Sequence, residues 1–199
     1  MRTVAVSQRA VVEPVHRERR DCLDQAWTTF LLACGLCPLP VPNNEAAAQA
    51  FCREALVEGV LLTGGNDLVA YGGDAPERDA AESALLDFAE RNGVPVIGVC
   101  RGMQMIQHRN GVPLTPVEGH VSHRQRVRIG GREVEVNSYH KFAAFETRTP
   151  LEPWALAEDG AIEAVRAGDR LVGIMWHPER MAAFRPDDIA LFRRVLGAR

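Results

Sequence analysis

The feature that most constrains this chain is the way its hydrophobic pattern changes period, from two to 3.6 and back. Thr3 to Ser7 reads as a strand, about 17 to 34 carries apolar residues at helical spacing, Leu36 to Val41 is extended, and about 44 to 58 is helical. Gly59-Val60-Leu61-Leu62-Thr63 and Pro95-Val96-Ile97-Gly98-Val99 are short continuous apolar runs, as expected of strands covered on both faces. Between them, Asp79 to Arg91 reads as a helix closed by Gly93. Strands alternating with helices predict a parallel sheet with helices on both faces, and they place ligand sites at the carboxyl ends of the strands.

After about residue 113 the pattern turns to strands and hairpins. Val127 to Val134 reads as a hairpin turning on Gly130-Gly131, a register that puts Val127 opposite Val134, Arg128 opposite Glu133 and Arg126 opposite Glu135. The arginines there therefore read as a charge-matched solvated face. A second hairpin runs from Ala161 through Gly168-Asp169 to Leu171 and on to Trp176, and Asp187 to Leu196 forms a last helix behind Pro186.

A length of 199 residues predicts one domain over 1–199. No apolar run approaches the ~20 residues that span a bilayer, and residues 1–6 lead into charged sequence without a signal-peptide core, so a cytoplasmic protein with no membrane partner is expected. Twenty-three Lys and Arg against 26 Asp and Glu give a net charge of -3, which offers no overall basic field to nucleic acid.

The five cysteines stand at 22, 34, 37, 52 and 100, an odd count that suits neither a disulfide framework nor paired metal knuckles. Cys34 and Cys37 have redox spacing, but Cys34 closes a helix where a redox cysteine opens one, so buried structural thiols are expected. Cys100 is different. It joins the buried strand ending at Val99 to the segment Arg101-Gly102-Met103-Gln104, a strand-turn-helix elbow with a thiol at the nucleophile position. The turn would lift the thiol from the sheet, the helix N-terminus would favour its anion, and the Arg101 N–H would face a developing oxyanion. Gly98 and Gly102 leave room for such a turn.

Six histidines are available, and only His177 ends an apolar strand with a carboxylate two residues on, at Glu179. In extended chain, residues two apart share a side, so Glu179 can orient the imidazole and complete a Cys-His-Glu triad. His120 and His123 form a weak metal pair without a third ligand at fixed spacing, and no metal site is expected. His140, with Ser138 and Tyr139, lies in a polar cluster that either lines the pocket or makes a purely structural turn. Thr63-Gly64-Gly65-Asn66-Asp67 lacks the Gly-Lys-Ser/Thr of a phosphate loop, and is better suited to donate a second backbone N–H to an oxyanion.

Leu62-Thr63-Gly64-Gly65, Gly98 to Gln104, and Trp176-His177-Pro178-Glu179, in that order, resemble class I glutamine amidotransferase domains, in their free-standing γ-glutamyl hydrolase branch, peptidase C26. The resemblance implies a flavodoxin-like three-layer α/β/α sandwich with a mostly parallel sheet and an added hairpin region. It implies hydrolysis of a small-molecule γ-glutamyl amide through a thioester on Cys100, with His177 moving protons and Glu179 orienting it. The N–H groups of Gly65 and Arg101 would form the oxyanion hole, and Gly64, Gln104, Ser138, Tyr139 and His140 would bind substrate, without a cofactor. Where the γ-aminobutyrate branch continues Asn-Ser-x-His with His-Gln, this chain has Lys141-Phe142, a departure that leaves the leaving group open. Glu18-Arg19-Arg20-Asp21 and Tyr71-Gly72-Gly73-Asp74 resemble a branch whose leaving group is a phosphoramidate nucleotide, and Arg9, Arg78 and Lys141 are candidate cations for it. Two other readings stay open. One is a glutaminase subunit serving a separate synthetase partner; the other is a non-catalytic binding module.

Overall fold

The computed structural model describes residues 1–197. Strand β1 (Arg2–Val6) turns Val4 and Val6 to one face of the sheet and Ala5 to the other, as period two requires. Next, β2 (Arg9–Val12) and β3 (Arg19–Cys22) pair antiparallel as a separate two-stranded arm, with Arg9 opposite Cys22. The helix expected over about 17 to 34 is therefore shorter. Helix α1 spans Gln25–Ala33 and is capped by Asp24, whose carboxylate accepts from the Ala26 N–H at 2.9 Å. The reason lies in what can be buried: Glu18-Arg19-Arg20-Asp21 offers no apolar side chain, whereas Trp27, Phe30 and Leu31 supply a core face.

Strand β4 (Leu36–Pro40) leads to α2 (Glu45–Glu54), which Asn44 caps through the Ala47 N–H at 2.9 Å. Strand β5 (Gly59–Leu62), α3 (Pro76–Asn92) and β6 (Val96–Val99) follow the expected order. Helix α3 starts three residues earlier than the apolar period suggests, because Pro76 fits the first helical position, and it ends on left-handed Gly93. Helix α4 (Arg101–Arg109) starts one residue after Cys100.

The remainder is mostly antiparallel. Short β7 (Thr115–Pro116) precedes β8 (Val121–Ile129) and β9 (Arg132–Tyr139), whose register pairs Val127 with Val134, Arg128 with Glu133 and Arg126 with Glu135 as read from the sequence. Gly130 and Gly131 both have positive φ, 55° and 82°, which a two-residue turn of this hand needs. Then come β10 (Phe142–Ala143), β11 (Glu152–Ala157), β12 (Ile162–Ala167), β13 (Leu171–Ile174) and α5 (Pro186–Leu196). Strand β11 carries no strong alternation and is visible only from its pairing with β8 and β12.

The main sheet has the order β4-β1-β5-β6-β13-β12-β11-β8-β9, parallel from β4 to β13 and antiparallel beyond. One face carries Val60, Leu62, Leu85, Met103 and Ile106, so α3 and α4 cover it; the other packs Leu61 and Ile97 with Phe30 and Phe192 of α1 and α5. Phe30 and Phe192 meet edge to face at 4.8 Å, and each buried ring contributes roughly 1.5–3 kcal/mol by leaving water. This is the expected three-layer arrangement. Among the described residues no helix is long and apolar enough to cross a membrane. The carboxyl ends of β1, β5, β6 and β13 lie side by side in the sheet, and from them run the segments bearing Arg9, Gly64, Cys100 and His177.

Candidate active site

Cys100 occupies the turn between β6 and α4 with φ 52° and ψ -108°, a conformation costing a non-glycine residue on the order of 1–3 kcal/mol. Packing holds it there. Its N–H donates to the Ile174 carbonyl at 2.8 Å and its carbonyl accepts from the Gln104 N–H at 3.0 Å. A Cβ on Gly98 would lie 2.5 Å from the Gly102 oxygen, and one on Gly102 would lie 2.1 Å from the Leu62 oxygen. The two glycines therefore let α4 descend onto β5 and β6 at the turn.

Across from the thiol, His177 follows β13 in extended conformation and is buried. Its Nδ1 is 2.8 Å from Glu179 Oε1. The reason for that contact differs from the expected extended spacing: Pro178–Arg180 forms one 3-10 turn, which brings the Glu179 carboxylate back to the ring. Burial alone would lower the His177 pKa, but the adjacent Cys100 thiolate and the Glu179 carboxylate outweigh it and raise it to about 9. Gly64 closes the other side, where an added Cβ would come within 2.5 Å of His177 Cε1 and 3.5 Å of Cys100 Cβ.

The Gly64-Gly65 loop is held from below by Arg78. Its guanidinium donates to the carbonyls of Thr63 at 2.7 Å, Gly65 at 2.9 Å and Gly64 at 3.1 Å. In a trans peptide the N–H points opposite to the C=O, so these bonds leave the Gly65 N–H on the side away from Arg78. Arg78 is thus not the leaving-group cation that its place in the sequence suggested; it is fully buried. Burial pushes its pKa down to about 10, against the pull of Glu82, and it stays charged at neutral pH. Glu82 accepts from Arg78 Nε at 3.0 Å and also pairs with the Arg101 side chain, which reaches Asp79 as well. Sequence reasoning used only the Arg101 backbone; the spacing of Arg78 and Glu82, four apart on α3, was the available signal for the rest.

Two cavities meet at this cluster. One, of about 170 Å³, is lined by Gly65, Cys100, Arg101, Gln104, Tyr139, His140 and Lys141. The other, of about 320 Å³, is lined by Arg9, Trp27, Gly64, His177, Glu179 and Arg180. Arg9 lies against Gly65, where a Cβ would fall 2.1 Å from its Nε, and forms no ion pair among the described residues. Arg180 stacks over Tyr139 at 4.9 Å, and the Tyr139 ring meets His177 edge-on at 5.6 Å.

A peptidase C26 family model matches residues 3–127 and 118–179. The chain belongs to the peptidase C26 family. Among its relatives, the γ-glutamyl-CDP-amidate hydrolase of Campylobacter jejuni is 31% identical over 89% of this chain and 90% of that protein. The γ-glutamyl-γ-aminobutyrate hydrolase of Escherichia coli O157:H7 is 28% identical over 79% of this chain and 78% of its own length. The crystal structure of a glutamine amidotransferase from Thermotoga maritima shares the fold, with a TM-score of 0.71 at 14% identity over 96% of this chain and 82% of that one.

Within this peptidase C26 chain the other expected site residues divide between the cavity wall and the interior. Gln104 faces the smaller cavity while its amide nitrogen donates to the Phe142 carbonyl at 3.0 Å. Tyr139 lines the same cavity and its hydroxyl meets His123 Nδ1 at 2.9 Å. Ser138, expected among the binding residues, is instead fully buried, and its hydroxyl donates to the His120 carbonyl at 2.6 Å. His120 and His123 do not form a pair: His120 is buried beside His140, and His123 is exposed. Asn137 is the residue sequence reasoning passed over. Its amide clamps the His177 backbone, accepting from the N–H at 2.7 Å and donating to the carbonyl at 2.8 Å. Of the cysteines, Cys34 is buried with its thiol pushed up to about 12 by burial, but Cys37 is exposed, contrary to the expectation of two buried thiols.

Proposed function

We propose that this chain, acting as one class I glutamine amidotransferase-like domain, is a cysteine-dependent γ-glutamyl hydrolase. The observation that carries the reading is Cys100, held at positive φ at the start of α4 beside a buried His177 that is bonded to Glu179. In this reading the Cys100 thiolate attacks the γ-carbonyl carbon, and the Gly65 and Arg101 N–H groups meet the negative charge that forms on oxygen. The His177 imidazolium gives its proton to the departing nitrogen. Neutral His177 then takes a proton from water as the water attacks the γ-glutamyl thioester, and glutamate leaves with the thiolate restored. Glu179 keeps the ring turned and favours its charged form.

The smaller cavity suits the glutamyl group, with Gln104, Tyr139 and Lys141 around it; the larger, on the His177 side, suits the leaving group. Arg180 is neutralised by Glu179, 3.4 Å from its Nε, but Arg9 pairs with no carboxylate among the described residues, which supports an anionic leaving group such as a phosphoramidate nucleotide, the class suggested by the name of the Campylobacter jejuni relative. Five free cysteines accord with a reducing, cytoplasmic setting.

The deciding experiment is an assay of the purified chain against glutamine and a panel of γ-glutamyl amides, with the Cys100→Ala variant as control. Hydrolysis by the chain alone, fastest with an anionic leaving group and lost in Cys100→Ala, is the expected result. Turnover of glutamine that appears only when a synthetase chain is added would favour the subunit reading, and no turnover of any γ-glutamyl amide would overturn the proposal.

A further inference from the structure

Away from the thiol, three buried side chains from distant parts of the chain converge. His120 Nδ1 and His140 Nε2 are 3.3 Å apart, and each is 3.2 Å from Glu163 Oε1. These side chains come from the residue before β8, the residue after β9, and the start of β12. Their outward atoms are already engaged: His120 Nε2 lies 3.0 Å from Asp159 Oδ2, and His140 Nδ1 lies 3.1 Å from the Phe142 carbonyl. A carbonyl oxygen only accepts, so His140 Nδ1 carries its proton outward; a carboxylate favours the same for His120 Nε2. With both rings neutral, two nitrogen lone pairs and a carboxylate oxygen then face one another.

We infer that His120, His140 and Glu163 form a binding site for a divalent transition-metal ion of the zinc class. Bonds of about 2.0–2.1 Å in a tetrahedral shell place neighbouring donor atoms about 3.3 Å apart, which is the spacing of this triangle. A fourth donor is at hand in Gln125. Its amide nitrogen lies 2.9 Å from His120 Nδ1 and 3.2 Å from Glu163 Oε1, while its oxygen is buried without a hydrogen-bond partner. Turning that amide end for end, an assignment the heavy-atom positions leave open, replaces the donor with an oxygen ligand and gives the unpartnered oxygen a metal to bind. The charges also close: a dication balances Glu163 and Asp159. Carboxylate and carbonyl partners behind ligating imidazoles are the usual means of fixing their orientation. The metal would pin β8, β12 and the segment after β9 together. That segment carries Lys141, which lines the smaller cavity, and it continues β9, which carries Tyr139 of the same cavity and Asn137, which holds His177.

The test is metal binding by the purified full chain. Protein stripped with a chelator should take up one equivalent of zinc with a Kd below micromolar, rise in Tm by several degrees on adding zinc, and give the intense visible bands of tetrahedral cobalt when cobalt is substituted. Glu163→Gln, which keeps the shape of the side chain, and His120→Ala should each weaken zinc binding by at least 100-fold. Asp159→Asn, acting through His120, should weaken it by about 10- to 100-fold, and His123→Ala should leave it unchanged. Because Glu163→Gln and His120→Ala alter a buried cluster, the wild-type titration stands as the reading independent of their folding. No zinc uptake below 100 micromolar, or uptake equal in wild type and Asp159→Asn, would overturn the site.

Discussion

Asn137 grips His177 by both backbone atoms, with hydrogen bonds of 2.7 Å to its N–H and 2.8 Å from its amide to the carbonyl. The imidazole itself is free of that contact, and its Nδ1 is held by Glu179. Position and orientation of the ring are therefore set by different residues, one on β9 and one in the 3-10 turn after the histidine.

Asn137→Ala should accordingly displace the ring without altering its partners. Two buried backbone groups lose their bonds, each at a cost of about 1–3 kcal/mol, so kcat for a γ-glutamyl amide should fall by about 10- to 100-fold. KM should change far less, and the upper limb of the kcat/KM pH profile should move. A proportional loss of kcat and folded protein with an unchanged pH profile would make Asn137 merely structural.

The pH dependence follows from His177. Burial works against its charged form, yet Cys100 and Glu179 raise its pKa from 6.5 to about 9. A raised pKa means that the charged ring stabilises the folded state fully below about pH 6.5 and loses that contribution as pH climbs through about 9. Thermal unfolding followed from pH 6.5 to 9.5 should show a falling Tm, with a shallower fall in Glu179→Gln, where one source of the shift is gone. The same variant should turn over more slowly than wild type but faster than Cys100→Ala. A Glu179→Gln enzyme as fast as the parent would remove Glu179 from the site.

Arg78→Lys keeps the charge but loses the fork that reaches three successive carbonyls. If those bonds set the Gly65 N–H, kcat should drop by about 100-fold, the order associated with loss of one oxyanion donor. Arg78→Met should in addition destabilise the fold by about 3–5 kcal/mol, since Glu82 would keep its buried charge with one partner fewer. Steady-state kinetics and urea unfolding read the two effects separately.

Arg9 and Lys141 border different cavities, which separates their effects. Arg9→Ala should lower kcat/KM by about 10- to 100-fold for a γ-glutamyl compound with an anionic leaving group, and barely affect a neutral γ-glutamyl anilide. Lys141→Ala should weaken both substrates alike, because the glutamyl group is common to them. Equal effects of Arg9→Ala on the two substrates would refute charge selection of the leaving group.

What the sequence determined by itself were the features in which local pattern and chemistry coincide. The buried runs at 59–63 and 95–99, the elbow at Cys100, the Gly130-Gly131 hairpin with its register, and the neighbours His177 and Glu179 are all set by residues within one or two turns of each other. Where the local pattern misled, burial decided: charged residues 18–21 continue a helical count, but with no apolar face to bury they form part of an exposed arm instead. The rest belongs to tertiary structure, because its partners lie far apart in the chain. Asn137 is 40 residues from His177, Arg101 is 19 from Glu82, and His120, His140 and Glu163 meet only where β12 joins the parallel strands to the antiparallel ones. No spacing rule reports such contacts. They arise because a buried polar group must find a partner, and the order of strands in the sheet determines which partners are within reach.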